Sequence, residues 1–431
     1  MKKFFILILI QGVLMAASLS EMKFKSHTVP IIFEESEYLP IVSLQLVFKG
    51  AGHLFASIDG EADMASKLLN EGTKKEGSVG FATTLDNHAI ELSAHVGRES
   101  FVIELSALKS EFAYGVSRLV DLLKDINYTP EALEQIKNQK MGWLLRKQSD
   151  FDYIAGLNLR KILFKGEVLA RPYDGTIESI QALKLSDLKQ FIQTHLGYNN
   201  LIGVVGGDLS LEEAKGALSN IMEVLPLVEQ KRLSYCEASS LEESVVISEE
   251  TTQAHIFFGA PFHFPYNAKE QYLAKIAEYM LGGAGFGSRL MEEIRVKRGL
   301  TYGIYASLRR TKVASYLSGY MQTKISTQEE AKALIRSVVE HFVQEGITQE
   351  ELDATKEFLL GSEPLRLETL SQRLGRAYNN YYYERPLSFD VLQREKIKEV
   401  TLEEVNAFIF AHQELKSLSF SIVTQKEDVK K

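Results

Sequence analysis

The stretch Leu281-Gly282-Gly283-Ala284-Gly285-Phe286-Gly287-Ser288-Arg289-Leu290 runs on into Glu293-Ile294-Arg295-Val296-Lys297-Arg298-Gly299-Leu300-Thr301-Tyr302. The residues before it, Lys269 to Leu281, carry the period of an amphipathic helix. The glycines therefore follow a helix. A glycine loop that cradles a dinucleotide follows a strand and opens a helix, so the order here is reversed and these glycines read as a helix terminator and a sharp turn. Thr252 to Phe258 upstream reads as a strand, and Thr301 to Ser307 with Ser315 to Lys324 downstream as a strand pair.

Working outward, the pattern repeats almost half a chain earlier. Thr129-Pro130-Glu131-Ala132-Leu133 opens a helix as Thr348-Gln349-Glu350-Glu351-Leu352 does, with a capping Thr and carboxylates in the first turn. Phe191-Ile192-Gln193-Thr194-His195 ends a helix before the apolar strand Leu201 to Val205. Phe408-Ile409-Phe410-Ala411-His412 does the same before Leu418 to Val423. Ile41 to Lys49 and Ala89 to Leu105, the latter bending near Gly97, read as strands around a helix over Asp59 to Glu71, whose buried face is Ala62, Ala65, Leu68 and Leu69. Strands and helices mix without βαβ alternation. The expected fold is α+β: two homologous domains, each a mostly antiparallel sheet packed against helices. Their expected bounds are 22–227 and 244–425, joined by a polar linker over 228–243.

The 431 residues are 45% apolar and 25% charged, the balance of a folded, water-soluble body. A net charge of -8 and the absence of a basic stripe argue against a nucleic-acid partner. One cysteine, Cys236, excludes an intrachain disulfide. Residues 1–18 read as a secretory signal peptide: Lys2 and Lys3, the apolar run Phe4 to Ile10, and the small residues Ala16-Ala17-Ser18. Its removal leaves no membrane span. The mature chain is exported, and periplasmic if the source is Gram-negative.

The glycine turn, the Ser288-Arg289-Leu290 triplet and the Glu293 to Tyr302 segment together resemble the second domain of the pitrilysin/insulinase family of zinc metallopeptidases. The resemblance implies that Arg295 and Tyr302 contact substrate. A guanidinium and a phenol are strong donors for a peptide carbonyl where charge develops. It also implies an inverted zinc motif, H-x-x-E-H, in the first half, followed by Gly-Thr. Gly72-Thr73 is the counterpart of that pair, so the motif positions fall on Asp63, Ser66 and Lys67.

All three are changed. Ser66 cannot act as a carboxylate base, and Lys67 sets a positive charge where a neutral imidazole ligand belongs. The family's third ligand, a Glu, would fall near Met141 to Leu145, but no Glu occurs between residues 135 and 166. Of the nine histidines, His53 lies ten residues before the motif, and His88 and His95 flank a strand from opposite faces. No metal or cofactor is expected in this chain; zinc is expected in a partner subunit. Leu92 to Glu99 resembles the family strand whose edge pairs with extended peptides, which marks Ser93, Ala94 and His95. Tyr378 and Tyr381 to Tyr383 form an aromatic cluster that reads as packing.

The resemblance thus implies a non-catalytic subunit that pairs with a zinc-bearing homologue and presents Arg295 and Tyr302 to a peptide or unfolded protein. The alternatives are a stand-alone peptide-binding or scaffold protein of the same fold, and an atypical zinc metalloendopeptidase.

Overall fold

In the computed structural model, which describes residues 17–425, the strict alternation of Ile41 to Lys49 becomes a strand whose Val42, Leu44, Leu46 and Phe48 are all buried on one face. The first half runs β1 (Ser18–Phe24), β2 (His27–Glu35), β3 (Ile41–Lys49), α1 (Glu61–Leu69), α2 (Gly77–Asp86), β4 (Glu91–Val96), β5 (Ser100–Leu108), α3 (Lys109–Lys124), α4 (Pro130–Lys147), α5 (Phe151–Leu163), α6 (Ile177–Ala182), α7 (Leu185–His195), β6 (Leu201–Gly207) and α8 (Leu211–Met222). The second runs β7 (Ser244–Ser248), β8 (Gln253–Pro261), α9 (Gln271–Glu278), β9 (Ile304–Arg310), β10 (Ser315–Lys324), α10 (Gln328–Glu345), α11 (Gln349–Gly361), α12 (Leu370–Tyr382), α13 (Phe389–Glu399), α14 (Leu402–Ala411) and β11 (Ser419–Thr424).

Sheet order makes the duplication visible. The first sheet is β1-β2-β6-β3-β5-β4 and the second β7-β11-β8-β10-β9. Without β1 the two are the same sheet, each with one parallel pair (β2 with β6, β7 with β11) in an otherwise antiparallel array. The expected α+β architecture of two homologous halves is what the chain adopts. The expected leader lies outside the described residues, apart from Ala17 and Ser18. Ser18 already belongs to β1, and its hydroxyl donates to the Phe33 carbonyl at 3.1 Å.

One expectation is corrected. The single bent strand over Ala89 to Leu105 is a hairpin, because Gly97 N–H closes on the Ser100 carbonyl at 2.8 Å and ends β4. Residues 228–243, the expected linker, carry no helix or strand and pack as a strap. Val228, Cys236 and Ala238 are buried, the Cys236 N–H donates to the Val313 carbonyl at 2.7 Å, and the Ser239 N–H to the Leu163 carbonyl at 2.7 Å. Burial pushes the Cys236 thiol up to about 11, so it stays a thiol at neutral pH.

Each sheet buries one face on its own helices and offers the other to a helix from the opposite half. On the first sheet, Ile32, Val47, Ile202 and Val204 meet Leu374 and Ala377 of α12. On the second, Leu159 and Leu163 of α5 reach to Gly259, and Gly156 lets the Phe257 ring close in. Burying each such Leu contributes about 2 kcal/mol. Polar contacts follow the same exchange: Arg373 of α12 pairs with buried Glu34 at 2.7 Å, Tyr382 donates to Glu99 at 2.7 Å, and Asp152 of α5 meets His255 at 2.8 Å. The tyrosine cluster is therefore packing between halves. Burial raises both the Glu99 carboxyl and the Tyr382 phenol, so the phenol keeps its proton and donates it to Glu99 in this seam.

Candidate functional site

Helix α1 starts at Gly60, in the left-handed region at φ 86°, with the Glu61 carboxylate accepting from the Ser57 and Ile58 amides. Its Ala62, Met64, Ala65, Leu68 and Leu69 face the core. Asp63 and Lys67, four residues apart, lie along one side of the helix. Ser66 is buried and donates to the Asp63 carbonyl one turn back at 2.8 Å, so its hydroxyl is spent within the helix.

The residue that decides the chemistry here comes from α4. Lys140, with 4% of its side chain exposed, sends its ammonium to within 2.9 Å of the Asp63 carboxylate and 3.5 Å of Asp174. The same nitrogen lies 4.2 Å above the centre of the Trp143 ring. Two carboxylates and an aromatic face thus enclose a cation supplied by the chain itself. His53 stands against this cluster, stacked on Tyr173 at 6.1 Å, and burial lowers its pKa despite the nearby Asp63 and Asp174. A zinc ion would have to displace Lys140 and sit beside Lys67, with no carboxylate base at Ser66. These residues do not fit zinc. Among the described residues, no group of three or more His, Cys, Asp or Glu side chains could hold a metal ion. The sequence placed the missing third ligand near Met141 to Leu145. The signal that went unread was Lys140, one residue earlier and three before Trp143.

Arg295 and Tyr302 do come together. Helix α9 continues through π-type turns over Tyr279–Gly283, and Gly282 lies so close to β9 that a Cβ there would meet the Ala306 amide nitrogen at 2.7 Å. Gly285 and Gly287 then take φ 61° and 95°, making the turn the sequence predicted. Arg289 pins the turn to the start of α11, with Nε 2.6 Å from Glu351 and Nη2 2.9 Å from the Gly346 carbonyl. A second π-type run, Met291–Val296, presents Arg295, whose guanidinium lies 4.5 Å over the Phe286 ring and 5.1 Å over Tyr302. Tyr302 is 91% exposed and Phe286 68%. The guanidinium is thus held between two rings at the surface, with its N–H groups left for an acceptor. No hydrogen bond or ion pair among the described residues joins this pair to Asp63, Ser66 or Lys67.

Ser93, Ala94 and His95 lie in β4, the last strand of the first sheet. The outward backbone groups of Ala94 are already engaged. The Asn70 amide donates to the Ala94 carbonyl at 2.9 Å and accepts from its N–H at 2.7 Å, as a paired strand would. Alternation leaves Leu92 and Val96 as the outward pairs on that edge. His88 is not on the strand. It sits in the preceding turn, 2.8 Å from Glu111 and against Tyr114.

Comparison with known proteins bears on both halves. Residues 31–176 match the family described as "Insulinase (Peptidase family M16)", and residues 182–359 the "Peptidase M16 inactive domain". A Helicobacter pylori protein named "Non-peptidase homolog YmxG" is 42% identical, covering 99% of both chains. A Bacillus subtilis "Uncharacterized zinc protease YmxG" is 22% identical over 88% of this chain and 92% of its own. Among solved structures, a "peptidase M16 inactive domain" from Pseudomonas fluorescens superposes with a TM-score of 0.86 at 23% identity, covering 96% of this chain and all of that one. The periplasmic protease PqqL from Escherichia coli gives 0.75 at 14%, covering 95% of this chain but 47% of its own.

Proposed function

The chain belongs to the insulinase family, peptidase family M16, and we propose that it serves there as an exported, non-catalytic subunit of a two-chain peptidase. In this reading a zinc-bearing homologue performs hydrolysis, and this chain lends Arg295 and Tyr302 to the peptide or unfolded protein being cut. The observation that carries the reading is a contrast between the two halves. In the first, the Lys140 ammonium fills the space between Asp63 and Asp174. In the second, the half-buried Arg295 guanidinium lies against the ring of the exposed Tyr302.

Size supports a pairing role, since this chain matches about half of the E. coli protease. That neighbour's periplasmic location accords with the expected leader. Donors aimed at a developing oxyanion each contribute about a hundredfold or more in rate. Native pull-down of the mature chain is expected to bring with it a homologue carrying H-x-x-E-H. In the reconstituted pair, Arg295→Ala should lower kcat by about a hundredfold without loosening the complex. Absence of association, or full proteolysis by the R295A and Y302F pairs, would overturn the proposal.

A further inference from the structure

On the face of the first sheet opposite α1, between the β2 and β3 strands and the start of α12, lies a groove of about 1280 Å³. It exceeds the range of roughly 300–1,000 Å³ that suits small molecules. Its size favours a polypeptide segment over a metabolite.

The lining is of two kinds. Tyr38, Leu39 and Ile41, all exposed, form an apolar lip with Leu370 across from them, and Tyr38 is 96% exposed. Glu34, Glu35, Glu37 and Glu368 bring four carboxylates against the single guanidinium of Arg373. The nearby Lys109 is committed to Asp208 at 2.6 Å. Glu34 is the unusual member, being only 3% exposed. Its Oε1 accepts from Arg373, but its Oε2 is buried without a hydrogen-bond partner. A buried carboxylate oxygen left unpaired carries a desolvation cost that an incoming N–H donor would remove.

We propose that this groove binds a cationic, amphipathic peptide segment, with lysine or arginine side chains directed to the Glu34, Glu35, Glu37 and Glu368 carboxylates and apolar side chains seated on Tyr38, Leu39 and Leu370. The site is separate from Arg295 and Tyr302, and it stands or falls independently of the pairing with a zinc-bearing homologue.

The probe is a short fluorescein-labelled peptide of alternating leucine and lysine, titrated with the full mature chain and followed by anisotropy at low and high salt. Saturable binding that weakens with salt is expected, and the leucine–glutamate counterpart should not bind. The triple variant Glu35→Gln, Glu37→Gln, Glu368→Gln should weaken binding about tenfold, and Tyr38→Ser with Leu39→Ser by a similar factor. Because the whole chain is acidic, a control triple at exposed positions on other helices, Glu350→Gln, Glu357→Gln and Glu403→Gln, applies the same change in net charge. The proposal is overturned if the control weakens binding as much as the groove triple, if the acidic peptide binds equally well, or if the basic peptide does not bind at low salt. These positions are exposed or half-exposed, so unchanged thermal unfolding should accompany the loss. Association with a zinc-bearing homologue should be unaffected by either triple.

Discussion

Asp63, Asp174 and Trp143 converge on the Nζ of Lys140, and the consequences can be tested one side chain at a time. Removing the ammonium strands the Asp63 carboxylate in a site where 19% of its side chain is exposed. Lys140→Met should therefore cost about 3 kcal/mol, measured as a lowered urea midpoint at constant slope. The double change Lys140→Met, Asp63→Leu should recover most of the loss, because an apolar pair needs no charge compensation. A pH dependence follows from the buried imidazoles. Burial lowers both His53 and His195, so each is favoured neutral in the folded state while the unfolded chain takes up protons first. Their contribution is intact above the ordinary histidine range and is lost as pH falls from there towards their folded values. Stability should thus rise between pH 5 and 7, and His53→Asn should flatten that slope in denaturation series run across the interval. That Asp63, Ser66 and Lys67 suit zinc poorly was legible in their residue types. The contact with Lys140 was not, because it reaches Asp63 only through the packing of α4 on α1.

Caps and turns were the most readable elements, since their signals are local. Thr348 and Glu351 make the reciprocal capping box that their spacing predicts, and Thr129 caps α4. Thr348→Ala should cost about 1 kcal/mol in equilibrium unfolding. The value of Glu351 is larger than its cap because it also holds Arg289, and with it the glycine turn that displays Arg295. What local pattern could not reveal is which sheet a helix covers. Helices α5 and α12 look amphipathic in sequence, but their partners lie in the other half, settled only by the three-dimensional exchange. Gly206 tests this contact. A Cβ there would approach Leu374 Cδ1 at 2.7 Å and the Glu34 carbonyl at 2.9 Å, so Gly206→Val should lift α12 from the sheet. The expected loss is about 2 kcal/mol or more, with altered near-ultraviolet circular dichroism as the Tyr378 and Tyr382 rings lose their packing.

The two halves share a topology visible in the repeated caps and terminal strands, yet they are not independent bodies. Each closes its outer sheet face with a helix of the other, and the strap over 228–243 is packed between them. Scanning calorimetry should therefore show one cooperative transition for the chain rather than two. A fragment ending at residue 227 would leave Ile32, Val47, Ile202 and Val204 uncovered and the apolar side of α5 without its sheet. It should self-associate in size-exclusion chromatography. The exchanged helices also set the terms on which the two repeats can diverge. A change in α12 must answer to β2 and β6, and one in α5 to β8 and β11, so the seam ties the histories of both halves together. Helix α1 packs on α4, α7 and β4, all within its own half. Substitutions along α1 are therefore answered within the first half and leave the exchanged seam untouched, so this helix can vary more freely than α5 or α12.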